Sequence, residues 1–204
     1  LLQNMVYKIF RIYFFKSTKK WEDIVNSREL VNLKKTIMTF INLMKGNGYS
    51  IESFESFFKN RRFRKVLCLI YAIYVIYEVE KVSSGLIDFD DMMSYATNIV
   101  RRNIIRLPFK MFIIDEFQDT SLLRFNLIRE LVMLNDAGLC VVGDDYQSIY
   151  HFSGCDLEIF LNFKDYYNEA KIYRLEKTYR NSLELVNTAG KFVMKNPNQI
   201  KKNL

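Results

Sequence analysis

The chain has 204 residues, half of them hydrophobic and 26% charged, a balance that excludes disordered, collagen-like and low-complexity classes. Its three cysteines and the single His151 lack metal-ligand spacing, which excludes a zinc site and indicates a reducing compartment, the cytoplasm. The net charge of +7 is unevenly placed, because residues 1–85 carry a net +8 and residues 86–204 a net −1.

The first 85 residues predict a basic, mostly helical segment. Apolar residues recur at helical spacing over 30–44, and Gly46 ends that element. The apolar run 66–77 predicts a further helix ending near Gly85, and it is too short for the roughly 20 residues of a membrane span. Basic side chains beside Tyr and Phe favour a nucleic-acid surface, but a solvated basic face without a partner explains the charge equally well.

The remaining residues predict alternating helices and strands. Asp88 is placed to cap a helix that would bury Met92, Ala96, Ile99 and Val100. The apolar runs 109–114 and 139–142 are typical of strands buried on both faces of a parallel sheet, and 172–175 predicts a third strand.

A helix follows each predicted strand. Thr120 or Ser121 caps the first of these helices, Asp156 caps a short second one, and the third covers 183–193. The expected fold class is therefore α/β, with an all-helical basic segment joined to part of a doubly wound sheet.

Acids, amides and an arginine follow the predicted strands. Since ligands bind at the carboxyl ends of parallel strands, these side chains are expected around one crevice. There Asp115 can hold Mg²⁺, Glu116 can orient or deprotonate an attacking water, and Gln147 and Arg180 can contact a γ-phosphate. The pattern favours phosphoryl transfer, and the alternative for each strand end is an ordinary acid that caps the next helix.

Three segments, in this order, resemble motifs II, III and IV of the UvrD/Rep-type superfamily 1 helicases: IIDEFQDT at 113–120, VGDDYQSIY at 142–150 and LEKTYRN at 175–181. IDFDDMM at 87–93 is similar to the short motif that precedes motif II in that family. The resemblance covers about residues 86–204, and the segments 151–154 and 196–202 are most similar to its DNA helicase IV branch.

The resemblance implies ATP and Mg²⁺ as cofactors and a role for each matching residue. Asp115 would coordinate Mg²⁺ and Glu116 would be the catalytic base. Gln147 would couple the γ-phosphate to DNA, Tyr179 would stack on the adenine, and Arg180 would contact the γ-phosphate.

The resemblance also implies DNA-binding aromatic residues. Tyr150, Phe152 and Phe89 would lie along the track of single-stranded DNA, where stacking gives affinity that tolerates any sequence. The alternative for each ring is packing in the protein core.

At the level of the fold, the resemblance implies a partial RecA-like sheet of the P-loop NTPase type with a helical accessory subdomain. Residues 1–85 would be that subdomain, which contacts duplex DNA in relatives. Residues 86–168 would be the second half of the first motor domain, and residues 169–204 would be the start of the second.

The sequence contains no G-x-x-x-x-G-K-[ST] loop, the loop that cradles phosphates in this family. We therefore expect an internal piece, inactive alone, of an ATP-dependent DNA helicase acting in repair or recombination. The alternatives are a DNA- or partner-binding module of an inactive relative and the motor of a helicase–nuclease subunit.

Overall fold

A computed structural model describes residues 28–49, 53, 64–105, 107–150, 154–175 and 177–195. The described residues begin with three helices: α1 (Arg28–Gly46), α2 (Arg64–Ser83) and α3 (Phe89–Arg101). A strand–helix–strand unit follows: β1 (Met111–Ile114), α4 (Leu122–Asn135) and β2 (Gly138–Val141). After it, the described part of the chain contains α5 (Leu157–Leu161), α6 (Phe163–Tyr166) and α7 (Leu183–Val193).

Helices α1 and α2 contact each other and confirm the helices predicted in the basic segment. Ile37 and Ile41 of α1 are fully buried, as are Ile70 and Ile73 of α2. Helix α2 is thus buried on one face, while Val79 and Val82 near its end are 64% and 69% exposed. Within the described ranges no helix combines the length and apolarity that crossing a bilayer requires.

Helix α3 begins where the sequence predicts. The Asp88 side chain accepts a hydrogen bond from the backbone N–H of Asp91, and the Asp91 side chain accepts one from Asp88, which forms a capping box. The predicted buried face is only partly right: Val100 is buried, but Met92 and Ile99 are 45% and 37% exposed. The helix packs on α4, and Thr97, which lies outside the predicted face, is buried as well.

Strands β1 and β2 are parallel neighbours, with Ile114 in register with Val141, and α4 connects them. Ile114 and Val141 pack on a core formed by Phe117, Phe125 and Ile159. The prediction that both faces of the strands are buried is wrong, because Met111 and Ile113 of β1 are 56% and 68% exposed. Within the described part of the chain, helices cover one face of this sheet.

The prediction of a third strand is also wrong. Residues 171–175 have no regular structure, and Ile172 and Leu175 are 64% and 90% exposed. A strand gains its ladder of hydrogen bonds only beside another strand, and the described residues place none next to this segment. The α/β prediction is therefore confirmed as a helix-rich fold with a small two-stranded parallel sheet in the described ranges.

The helix caps around this sheet agree with the sequence. Ser121, rather than Thr120, caps α4, with its hydroxyl accepting from the N–H of Arg124. Asp156 caps α5, and α7 covers the predicted 183–193. Cys155 forms an antiparallel bridge with Ser121, which holds the segment after β2 against the start of α4.

Candidate functional site

The candidate site forms where β1 and β2 end side by side. Beyond the register pair Ile114–Val141, the N–H of Val142 donates to the carbonyl of Ile114 at 2.8 Å, and the N–H of Phe117 donates to the carbonyl of Val142 at 2.9 Å. These bonds hold the two strand ends together past the sheet. The residues that follow both strands therefore share one edge, as the sequence predicts.

Phe117 anchors the segment that follows β1. Its ring is 1% exposed and makes edge-on contacts with Phe125 and Phe163, with ring centroids 6.2 and 5.6 Å away. The flanking Glu116 remains exposed. A buried aromatic next to exposed carboxylates fixes the backbone that carries them, since burial of such a ring contributes about 1.5–3 kcal/mol.

Asp115 and Glu116 present their carboxylates at this edge, and both residues are exposed. The side chain of Asp115 accepts a hydrogen bond from the N–H of Glu116 at 2.9 Å. Glu116 adopts a left-handed backbone, with φ 50° and ψ 41°, at the start of the short 3-10 helix Phe117–Asp119. For a residue with a side chain this conformation costs about 1–2 kcal/mol, and it occurs preferentially at functional sites.

Asp144 organises the corresponding segment after β2. One carboxylate oxygen accepts from the N–H of Tyr146 at 3.0 Å, and the other accepts from the side-chain amide of Gln147 at 2.7 Å. Gln147 is exposed at the end of the 3-10 helix Asp145–Gln147. The structure thus places Gln147 at the same edge as Asp115 and Glu116.

Gln118 joins the two segments, although its place in motif II is all that the sequence indicates for it. Its side chain is 1% exposed, donates to the Glu116 carboxylate at 2.8 Å and accepts from the N–H of Asp144 at 2.9 Å. In the sequence, Gln118 is visible only as an amide between the acids Glu116 and Asp119. Its hydrogen bond to Asp144 depends on the pairing of β1 with β2, which the local sequence does not show.

Within the described ranges, Asp115, Glu116 and Asp144 do not converge as a group of three ligands for a metal ion. Mg²⁺ prefers a few carboxylate oxygens together with water and phosphate oxygens, so an exposed carboxylate such as that of Asp115 suits it when the other ligands come from water and phosphate. Burial raises the pKa of the neighbouring Asp119, and the Glu116 charge adds to that effect. Negative charge is thus concentrated beside β1, where a cation would be stabilised.

The other predicted site residues lie apart from this edge or outside the description. Tyr179 and Arg180 are in an exposed segment before α7, and Tyr179 is 92% exposed, so a crevice of three strand ends does not form in the described residues. Tyr150 is 46% exposed beyond the Gln147 turn, and Phe89 is 84% exposed at the start of α3, which excludes core packing for Phe89. Phe152 lies outside the described residues.

A second cluster of charges, which the sequence did not reveal, joins α1, α2 and α3. The ammonium groups of Lys45 and Lys81, 8% and 2% exposed, contact the carboxylates of Glu78, Asp88 and Asp91. These three carboxylates lie close enough to hold a metal ion, but the two lysines supply the positive charge there.

The cluster shifts the pKa of Asp88 and that of Lys45 in the directions that favour ion pairing. Burial opposes the charge of Asp88, but hydrogen bonds from Lys45, the Asp91 backbone and Tyr77 outweigh burial and hold the pKa of Asp88 well below its ordinary range. Burial likewise opposes the charge of Lys45, yet its bonds to Asp88 and Asp91 raise the pKa of Lys45.

Comparison with known proteins identifies the family. The UvrD/REP helicase N-terminal domain matches residues 5–168. DNA helicase IV of Escherichia coli is 33% identical over 123 residues, which are 60% of this chain and 18% of the relative. ATP-dependent DNA helicase PcrA of Staphylococcus epidermidis is 33% identical over 58% of this chain and 17% of its own length. DNA helicase II of Rickettsia typhi is 28% identical over 90% of this chain and 29% of its own length.

The chain belongs to the UvrD/REP helicase family, as the resemblance of its motifs predicts. It spans between 17% and 29% of the length of these three relatives.

Proposed function

We propose that this chain is part of an ATP-dependent DNA helicase that translocates on single-stranded DNA and unwinds duplexes, and that the chain alone does not hydrolyse ATP. The observation that carries this proposal is the shared edge of β1 and β2, where Asp115, Glu116 and Gln147 are held together in a member of the UvrD/REP family. The names of the relatives support DNA as the substrate.

Each residue at the edge has a task in phosphoryl transfer. Asp115 would hold Mg²⁺, which when bound neutralises charge on the phosphates. Glu116 would accept the proton of the attacking water, and its exposed carboxylate is accessible for that task. Gln147 would donate a hydrogen bond to the γ-phosphate.

Tyr179 and Arg180 would complete the nucleotide site from a second motor domain. We assign residues 1–85 to an accessory subdomain, 86–168 to the first RecA-like motor domain and 169–204 to the start of the second. The family match ends at residue 168, which supports the last boundary. The exposed positions of Tyr179 and Arg180 leave them accessible to a nucleotide, for adenine stacking and γ-phosphate contact respectively.

DNA would contact the exposed aromatic residues and the basic segment. Phe89 and Tyr150 offer exposed rings for stacking, and Phe152 follows Tyr150 by two positions. The net +8 of residues 1–85 favours contacts to the phosphates of duplex DNA. A helicase of this type would act in DNA repair or recombination in the cytoplasm.

The substitution Glu116→Gln in the complete gene product tests the motor proposal. Because the amide cannot accept the proton, DNA-stimulated hydrolysis of ATP should fall by roughly 10²- to 10⁴-fold, while a fluorescent ATP analogue should still bind. Glu169→Gln makes the same chemical change at an exposed turn and should retain the wild-type rate. Wild-type turnover by Glu116→Gln would refute the role of Glu116. A wild-type protein that binds DNA but hydrolyses no ATP would refute the motor and leave the binding-module alternative.

A further inference from the structure

The Gln118 side chain connects the two strand ends through both atoms of its amide. Nε2 donates to Oε2 of Glu116 at 2.8 Å, and Oε1 accepts from the backbone N–H of Asp144 at 2.9 Å. Only one orientation of the amide satisfies both partners, because a flip would set an N–H₂ group against an N–H and an oxygen against a carboxylate. The Glu116 carboxylate is therefore held by a group whose own position depends on Asp144.

The connection continues from Asp144 to Gln147. The carboxylate of Asp144 accepts from Nε2 of Gln147 at 2.7 Å, and its backbone N–H is the group that Gln118 binds. Hydrogen bonds thus connect four residues into one chain, in the order Glu116, Gln118, Asp144 and Gln147. It runs from the residue proposed to accept a proton to the residue proposed to contact the γ-phosphate.

Close packing holds the middle of this chain in place. Gln118 is 1% exposed, and a Cβ atom at Gly143 would lie 2.6 Å from its Oε1 and 2.9 Å from the ring of Phe160. The absence of a side chain at Gly143 is what lets the Gln118 amide reach Asp144. Since the amide has no room to shift aside, a movement of Asp144 is transmitted to Glu116.

We propose that Gln118 is a positioning residue that couples the orientation of Glu116 to the state of Gln147. Contact of Gln147 with a γ-phosphate pulls on the Asp144 carboxylate, and Gln118 carries that displacement to the Glu116 carboxylate. The inference rests on the proposed function, because it needs Glu116 and Gln147 to act on the same nucleotide.

Two substitutions separate the hydrogen bonds from the packing of Gln118 in the complete gene product. Gln118→Met keeps a side chain of similar length and loses both bonds. Gln118→Glu keeps the acceptor for Asp144 and places a like charge against Glu116. Asn162→Leu is the matched control, since it also removes an amide–carboxylate bond, that of Asn162 with Glu158 at 2.7 Å, away from the strand ends.

The first readout needs no nucleotide. Hydrogen exchange of a peptide covering 142–147 should be faster in Gln118→Met than in the wild type, because the Asp144 N–H loses its acceptor. Gln118→Glu should leave this exchange near the wild-type rate. Unchanged exchange in Gln118→Met would overturn the inference.

The second readout is hydrolysis of ATP in a double-mutant cycle. Gln118→Met should lower the DNA-stimulated kcat roughly 10- to 100-fold through misplacement of Glu116, with affinity for a fluorescent ATP analogue unchanged. Combining it with Gln147→Met should lower kcat no further than the more severe single change does, because both act through one chain. If the losses of kcat in Gln118→Met and Gln147→Met multiply in the double variant, the two residues act independently. Gln118 then has only a local structural role, and the inference is overturned. Absence of hydrolysis in the wild type would instead overturn the proposed function itself.

Discussion

Lys81 Nζ lies 2.6 Å from the carboxylate of Asp91, so a buried ion pair joins the last turn of α2 to the first turn of α3. Lys45 brings the end of α1 to the same point through Asp88 and Asp91. The basic helical segment is therefore fastened to the helix that carries Phe89.

Removal of one lysine from this cluster should be costly. Lys81→Met leaves Glu78, Asp88 and Asp91 with a single buried cation among them, and breaking a buried pair in this way costs about 3–5 kcal/mol. Lys35→Met, at an exposed position of α1, should change the free energy of unfolding by at most about 0.5 kcal/mol. Urea titrations of both variants provide the measurement, and similar midpoints would contradict a structural role for the cluster.

Stability should depend on pH in the acid range through Asp88. Its pKa is lower in the folded protein than its ordinary value of 3.8, so the stabilisation is present above about pH 4 and is lost as pH falls toward the folded pKa. Asn is also a good helix cap, so Asp88→Asn removes the charge and keeps the cap.

The difference in unfolding free energy between wild type and Asp88→Asn should accordingly be constant from pH 7 to about 4 and shrink below it. Burial raises the pKa of Asp90 and the Asp88 charge adds to that effect, so Asp90 opposes this trend more strongly in the wild type than in Asp88→Asn and offsets part of the change. Denaturant titrations between pH 2 and pH 7 would detect the change. A difference that does not depend on pH would exclude Asp88 as its source.

Phe89→Ala should weaken binding of single-stranded DNA without unfolding the protein. The ring is 84% exposed, so its loss removes little packing, whereas loss of one stacking contact costs about 1–3 kcal/mol of binding free energy. Phe192→Ala removes a similarly exposed ring, 74% exposed on α7, and serves as the control. Fluorescence anisotropy with a labelled oligonucleotide measures the DNA affinity of both variants. Equal losses of affinity would show that any exposed aromatic ring has this effect and would contradict a specific role for Phe89.

Asp136→Gly should stabilise the protein. Asp136 ends α4 with a left-handed backbone, φ 46° and ψ 53°, which glycine adopts without a Cβ penalty. We expect a gain of roughly 0.4–1 kcal/mol, whereas Asp165→Gly, inside the short helix α6, should lose a comparable amount. Thermal denaturation gives the sign of each change, and a loss at both positions would contradict the backbone argument.

Local signals predicted the helix ends and the strand-end residues well. Asp88, Ser121 and Asp156 cap helices as expected because a cap depends on the few residues that follow it. The register of β1 and β2 brings Glu116 and Gln147 to one edge because parallel neighbours end together.

Features that depend on distant partners were missed. The exposed side of α3, with Met92 and Ile99, is decided by which face meets α4 rather than by periodicity alone. The segment 171–175 has strand-like residues but no neighbouring strand in the described ranges. The lysine cluster was hidden because Lys45 and Asp91 are 46 positions apart and buried lysines are rare.

The role proposed for Glu116 requires a carboxylate, whereas the left-handed backbone at this position favours glycine. Glycine would relieve the conformational cost of about 1–2 kcal/mol, but it would remove the carboxylate. A library selected only for heat resistance should therefore enrich glycine at position 116 and discard the proposed proton acceptor. A gain in melting temperature at this position would then indicate a damaged motor, so thermostability is a misleading measure of fitness there.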